Sequence, residues 1–131
     1  MLEWDDRLTT GVERIDSQHH IFFSLIGEFE DARQKKASMQ HLHRALQEII
    51  SYATFHFLSE QNVMKDCGYP ELSEHLKLHT YLLNTLNTKA SEMALGICSP
   101  KQVSSFLLDW FTTHVRKDDK KFAEHEKAPK H

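Results

Sequence analysis

The sequence holds only four glycines, three prolines and two cysteines, and no apolar run nears the roughly 20 residues that span a bilayer. So few helix breakers leave room for long helices. Met1 to Arg7 lack the charged-then-apolar order of a secretory signal. Cys67 and Cys98 stand far apart without CxxC spacing, which predicts two free thiols in a reduced, cytoplasmic setting. Positive charge is not in excess either. Sixteen Lys and Arg against nineteen Asp and Glu give a net charge of −3, which argues against a nucleic-acid-binding surface. No alternating apolar–polar pattern marks a strand, and no repeat or Ser/Gly linker divides the chain.

What is present is a 131-residue chain, 40% apolar and 27% charged, long enough for one domain with a genuine core. One count is out of line. Ten histidines are several-fold more than ordinary usage, and histidine is the commonest metal ligand.

Periodicity predicts an all-α, up-down-up-down antiparallel four-helix bundle with an irregular N-terminal arm. The arm covers 1–16, the bundle 17–118 and a charged, partly mobile tail 119–131. The first helix runs from Ser17 to Lys36, with Asp16 as its N-cap and Ile15, Phe22, Phe23, Ile26 and Phe29 on one face. The second runs from Met39 to Lys65, capped by Ser38, with Leu42, Leu46, Ile49, Ile50, Ala53 and Phe57 inward. Gly68 and Pro70 punctuate the turn that follows. The third spans Pro70 to Met93, burying Leu72, Leu76, Leu82, Leu83 and Leu86. Ser99-Pro100-Lys101-Gln102 forms a capping box for the fourth, which reaches Lys117 with Val103, Phe106, Leu107 and Trp110 inward.

The informative residues are polar ones on these apolar faces. His19 lies on the face of Phe22, Phe23 and Ile26. The second helix's stripe continues to His56 and Glu60. His75 and His79 keep step with Leu72, Leu76, Leu82 and Leu86, and Trp110 leads to His114. One inward histidine is usually a hydrogen-bonded core residue. Five with a glutamate would each cost about 1–3 kcal/mol if buried unpaired. A core this polar calls for a cation. The heights agree: at ~1.5 Å rise per residue all six fall within about 10 Å along the bundle axis. His20, His41, His43, His125 and His131 do not join them and are expected to be solvated.

Trp4-Asp5, Gly11, Ile15-Asp16, Gln18-His19, His56-Phe57-Leu58-Ser59-Glu60, Tyr69-Pro70, His75-Leu76-Lys77-Leu78-His79, Trp110 and His114-Val115-Arg116-Lys117-Asp118-Asp119 form a combined pattern covering Trp4 to Asp119. In this pattern the sequence resembles the hemerythrin family, specifically its single-domain bacterial members. His20 and Gly27 stand where relatives often carry Lys and Asn. The resemblance implies a non-haem di-iron centre. His75, His79 and His114 would hold one iron and His19 and His56 the other. Glu60, Asp119 and an oxo or hydroxo group would bridge them. Asp119 comes from the resemblance alone, because an ideal helix puts Asp118, not Asp119, on the face of His114. For Asp119 to serve, the helix must end or bend after His114, or the side chain must reach around.

Counting donors on two six-coordinate irons, this set fills all but one place, on the iron held by His19 and His56. That open place implies reversible dioxygen binding for transport, storage or delivery. The histidine-rich donor set carries little negative charge, which disfavours O–O cleavage. Phe22, Phe23, Phe57, Trp110 and Phe111 are candidates for a dry pocket wall, and Trp4 of the arm is a candidate shield. Two alternatives are an oxygen or redox sensor acting through a partner and a di-iron peroxidase or oxidase. A site for another metal, such as zinc, is a third. No signalling domain accompanies the bundle, and no acid–base group is left over beside the ligands, so the expectation is a binding protein and not an enzyme. The expected partners are dioxygen and an oxygen-consuming enzyme. Charged outer faces predict a monomer.

Overall fold

The computed structural model describes residues 3–127, and all regular structure within them is helical. His131 lies outside the described residues. A short 3-10 helix, Asp6–Leu8, precedes α1 (Glu13–Gln34), α2 (Met39–Cys67), α3 (Leu72–Ala94) and α4 (Pro100–His114). A π-helical segment, Val115–Asp119, then leads into α5 (Lys120–Lys127). The first four helices pack as antiparallel neighbours, α1 against α2 and α4, and α3 against α2 and α4. One end therefore holds the start of α1 and the end of α4. The other holds the α1–α2 and α3–α4 turns.

Local signals set most boundaries. The Ser38 hydroxyl accepts from the His41 N–H at 3.1 Å and starts α2. Gly68 ends α2 at φ 69°, where a side chain would be strained. Ser99 and Gln102 exchange both capping-box hydrogen bonds at the start of α4.

Three expectations need correction. α1 begins at Glu13, not Ser17, and Asp16 does not cap it. Its carboxylate instead accepts from the Thr10 and Gly11 backbone N–H groups at 2.8 and 2.9 Å, tying the arm to the helix. The tail is not merely charged. α5 buries Phe122 and Ala123, with Phe122 against Tyr69, and Lys121 pairs with Glu71 at 2.9 Å. Leu76 is 40% exposed, because His75 and His79 take the inward positions and rotate it about 100° away. Leu72, Leu83, Phe23 and Phe106 are half-buried.

The core divides by height. Ile26, Phe29, Leu46, Ile49, Leu86, Val103 and Leu107 fill the end distant from the arm. Toward the arm the same helix faces carry buried polar side chains.

Candidate metal centre

Each helix contributes to one buried cluster. α1 supplies His19, α2 His56 and Glu60, α3 His75 and His79, and α4 His114, all buried. Asp119, fully buried, arrives from the π segment. A π turn contains one more residue per turn than an α-helix. It therefore brings the residue five beyond His114 onto the face where an α-helix would put the residue four beyond. This answers the mismatch noted for Asp119. Asp118 stays beside the ring of His114, its Oδ2 3.3 Å from Nδ1.

Potential ligand atoms fall into two overlapping groups, Glu60 with His75, His79, His114 and Asp119, and His19 with His56, Glu60 and Asp119. Within each group they lie within 4.8 Å of one another. The two carboxylates belong to both groups, and each divides its oxygens between them. Glu60 Oε1 lies 2.8 Å from His75 Nε2 and 3.1 Å from His79 Nε2, while Oε2 lies 3.4 Å from His56 Nε2. Asp119 Oδ1 lies 3.1 Å from His114 Nε2, while Oδ2 lies 2.9 Å from His19 Nε2.

These contacts are close, yet many are not hydrogen bonds. Glu60 Oε2, both Asp119 oxygens and His114 Nε2 are buried without a hydrogen-bond partner. Short separation without hydrogen-bonding angles is what lone pairs directed at a common point produce. Orphaned groups of this kind are costly in a low-dielectric interior unless something fills the centre. Imidazole nitrogens with two shared carboxylates suit a divalent transition metal at each group, so the residues fit a two-metal centre.

The charge pattern agrees. Burial and the neighbouring Asp119 oppose ionisation of Glu60, but His56, His75 and His79 hold its pKa below the ordinary value. Burial opposes ionisation of Asp119 too, and His114, His19 and His75 hold it well below. Burial pulls the pKa of His75 down, but Asp119 and Glu60 raise it to about 9. His114 is raised to about 10 against burial, chiefly by the charge of Asp119. Burial prevails at His79, which is lowered. Without metal, imidazolium protons stand in for the cations, and metal entry would release them.

Outer partners orient several rings. The Gln18 amide donates to Ser59 Oγ at 2.8 Å, and its oxygen meets His56 Nδ1 at 2.7 Å. That fixes the proton on Nδ1 and leaves the Nε2 lone pair facing the cluster. The Gln61 amide meets His79 Nδ1 at 2.8 Å. The sequence pattern included Gln18 and Ser59 without giving them a role, and Gln61 was missed. Buried polar residues beside an inward histidine were the available signal.

Aromatic rings surround the cluster. Phe111 stands edge-on to the His19 ring at 5.7 Å, and Phe22 edge-on to that of His56 at 6.1 Å. Phe57 stacks on His79 at 4.0 Å. Phe23 and Trp110 form a layer behind, touching Phe111 and Phe22 respectively. Trp4 stacks on His20 at 3.8 Å and packs against Phe23 and Phe111. His20 and His41 are exposed, as expected, whereas His43 and His125 are half-buried.

The comparisons point one way. Residues 10–125 match the family described as the Hemerythrin HHE cation binding domain. Bacteriohemerythrin of Pseudomonas aeruginosa is 29% identical over 118 residues, covering 90% of this chain and 76% of the relative. That of Stenotrophomonas maltophilia is 26% identical over 130 residues, covering 98% and 83%. Myohemerythrin of Theromyzon tessulatum is 22% identical over 122 residues, covering 92% and 89%. A crystal structure of wild-type hemerythrin superposes with a TM-score of 0.84 at 23% identity, covering 98% of this chain and 99% of the other. The chain belongs to the hemerythrin HHE cation-binding family.

Proposed function

We propose that this chain binds dioxygen reversibly at two iron ions in its core, serving oxygen transport, storage or delivery. The observation that carries this reading is the division of donors. Glu60 and Asp119 belong to both groups, with three histidines on one side and two on the other. His75, His79 and His114 would hold one iron and His19 and His56 the second, with Glu60 and Asp119 available to both. The group with His19 and His56 offers one nitrogen fewer than the other, and a metal held there would supply the place for the gas. A reduced iron pair supplies the electrons and the open coordination place that dioxygen binding requires.

The protein's own residues do the rest. Gln18 keeps the proton of His56 on Nδ1, away from the pocket. Phe22 and Phe111 keep water from the two-histidine side. Trp4 closes the outer surface over Phe111. Among the described residues, every buried titratable side chain at the centre belongs to one of the two donor groups, which favours a binding protein over an enzyme. Cys98 is a free thiol, in keeping with a cytoplasmic setting. The protein acts as a monomer and hands dioxygen to an oxygen-consuming enzyme.

The test is to load iron, reduce anaerobically, admit air and remove it. A charge-transfer absorption band that appears with air and disappears on its removal is expected. Rapid bleaching with release of peroxide would establish an oxidase instead. No band at two irons per chain would leave a purely structural metal site.

A further inference from the structure

The end of the bundle away from the metal has its own composition. Residues 32–47 and 93–108 contain Arg33, Lys35, Lys36, Arg44 and Lys101 and no Asp or Glu, in a chain whose net charge is −3. Arg33 is paired with Glu30 at 2.5 Å. The other four cations are exposed and make no ion pair among the described residues. The acid preceding this stretch in α3, Glu92, is held by Lys89 at 3.1 Å.

Apolar side chains project from the same end. Leu95 is 75% exposed, Ile97 68% and Met39 48%. Leu95 and Ile97 flank Gly96, whose φ of 75° reverses the chain between α3 and α4, so both sit at the tip of a turn. Beside them a groove of about 560 Å³ runs between the start of α2 and the end of α3, with Met39, Met93 and Ala94 among its walls and Arg44 at its edge. Exposed branched and thioether side chains at the same end of the bundle as four unpaired cations suit a ligand that is both apolar and anionic.

We propose that this end docks on an anionic lipid bilayer, with Leu95, Ile97 and Met39 entering the headgroup region and Lys35, Lys36, Arg44 and Lys101 contacting acidic headgroups. Two features favour a bilayer over an acidic protein. The most exposed apolar groups protrude from a turn and do not line a recess, and none of them is aromatic, whereas protein hot spots centre on aromatic or Arg anchors in pockets. Cations clustered around a short apolar insertion are also the usual composition of a reversible membrane contact. No helix among the described residues is long and apolar enough to cross a membrane, so the contact is peripheral. Docked this way, the arm and metal centre lie at the far end of the bundle from the bilayer. The proposal does not depend on which metal the centre holds.

The experiment is co-sedimentation of the full iron-loaded chain with vesicles of phosphatidylcholine alone or with one quarter phosphatidylglycerol. Binding should be at least about tenfold stronger to the anionic vesicles and should weaken as salt rises. Lys35→Gln with Lys101→Gln should reduce it by about 25-fold, at roughly fivefold per cation. Leu95→Asp and Ile97→Asp should each reduce it by about tenfold or more, with helix content and iron content unchanged. Equal binding to both vesicle types, or undiminished binding of the Leu95 and Ile97 variants, overturns the proposal. So does failure to bind vesicles combined with salt-sensitive binding to a Glu-rich amphipathic peptide, which would assign the surface to an acidic protein.

Discussion

At the distal end Leu46, Ile49, Leu86, Val103 and Leu107 meet between the helices, and outside them Lys35, Lys36, Arg44 and Lys101 face solvent. At the metal end the same helix faces carry His56, Glu60, His75, His79 and His114, and the outer surface includes Glu71, Glu74 and Asp118. The first end is held by apolar burial, which needs nothing from outside the chain. The second buries carboxylates and imidazoles whose full satisfaction requires an ion. The apolar half forms the scaffold, and the polar half is tied to what it binds.

The largest effect that separates the two ends comes from Glu60. Because it belongs to both donor groups, Glu60→Ala should abolish loading at both, read as iron per chain after reconstitution. Leu46→Ala, fully buried at the other end, should cost about 2–5 kcal/mol of stability yet leave the iron content intact. Full iron retention by Glu60→Ala would break the comparison at its root.

Asp118 sharpens it. Its carboxylate stands 3.3 Å from His114 Nδ1 and gives that ring an anionic partner, whereas His56 and His79 have neutral amides. A carboxylate behind a ligand ring makes it a stronger donor. Asp118→Asn should lower iron affinity by about tenfold, the low end of the outer-partner range, since Asp118 is partly exposed. It should also raise the reduction potential of the centre, which loss of packing alone would not do.

Trp4 tests the boundary between the metal end and solvent. Removal of residues 1–10 should speed autoxidation of the oxygenated protein several-fold, followed as decay of its absorption band. Trp4→Ala should reproduce most of that effect, because Trp4 is the arm residue that packs on Phe23 and Phe111. An unchanged rate would remove the arm from the shielding role.

The two ends also differed in how far the sequence exposed them. Distal packing follows a 3.6-residue repeat, so Leu42, Leu46, Ile49, Leu86, Val103 and Leu107 were legible as core. The inward histidines were legible for the same reason, with Glu60 four residues beyond His56 on the same stripe. Asp119 was not, because local propensity does not mark where an α-helix will take a π turn, and only the family pattern pointed there. Asp16 misled because a good N-cap residue was instead used to hold the returning arm. Phe122 was hidden among charged neighbours, and its burial depends on Ile15, Met64 and Tyr69 from three other segments. Local rules read periodicity well and read contacts between distant segments poorly.

The smallest effect lies in the distal half, at a carboxylate that joins two helices. Glu30 of α1 accepts from Arg33 at 2.9 Å and from Gln34 at 2.9 Å, and it also holds the Ser104 hydroxyl of α4. Arg33, aided by Ser104 and Gln34 against burial, lowers its pKa from 4.5 to about 2. A depressed acid stabilises the fold above its unfolded pKa and loses that contribution as pH falls through its folded one. Glu30→Gln should therefore cost about 1–2 kcal/mol at pH 7, and the gap should shrink as pH drops from 4.5 toward 2, seen as converging melting temperatures. The comparison must be made on protein with its metal-end state held fixed, either fully loaded or fully stripped, because acid also protonates the ligand histidines. If the gap stays constant with pH, Glu30 stabilises this end by packing and not by charge, and the distal half is apolar in its energetics throughout.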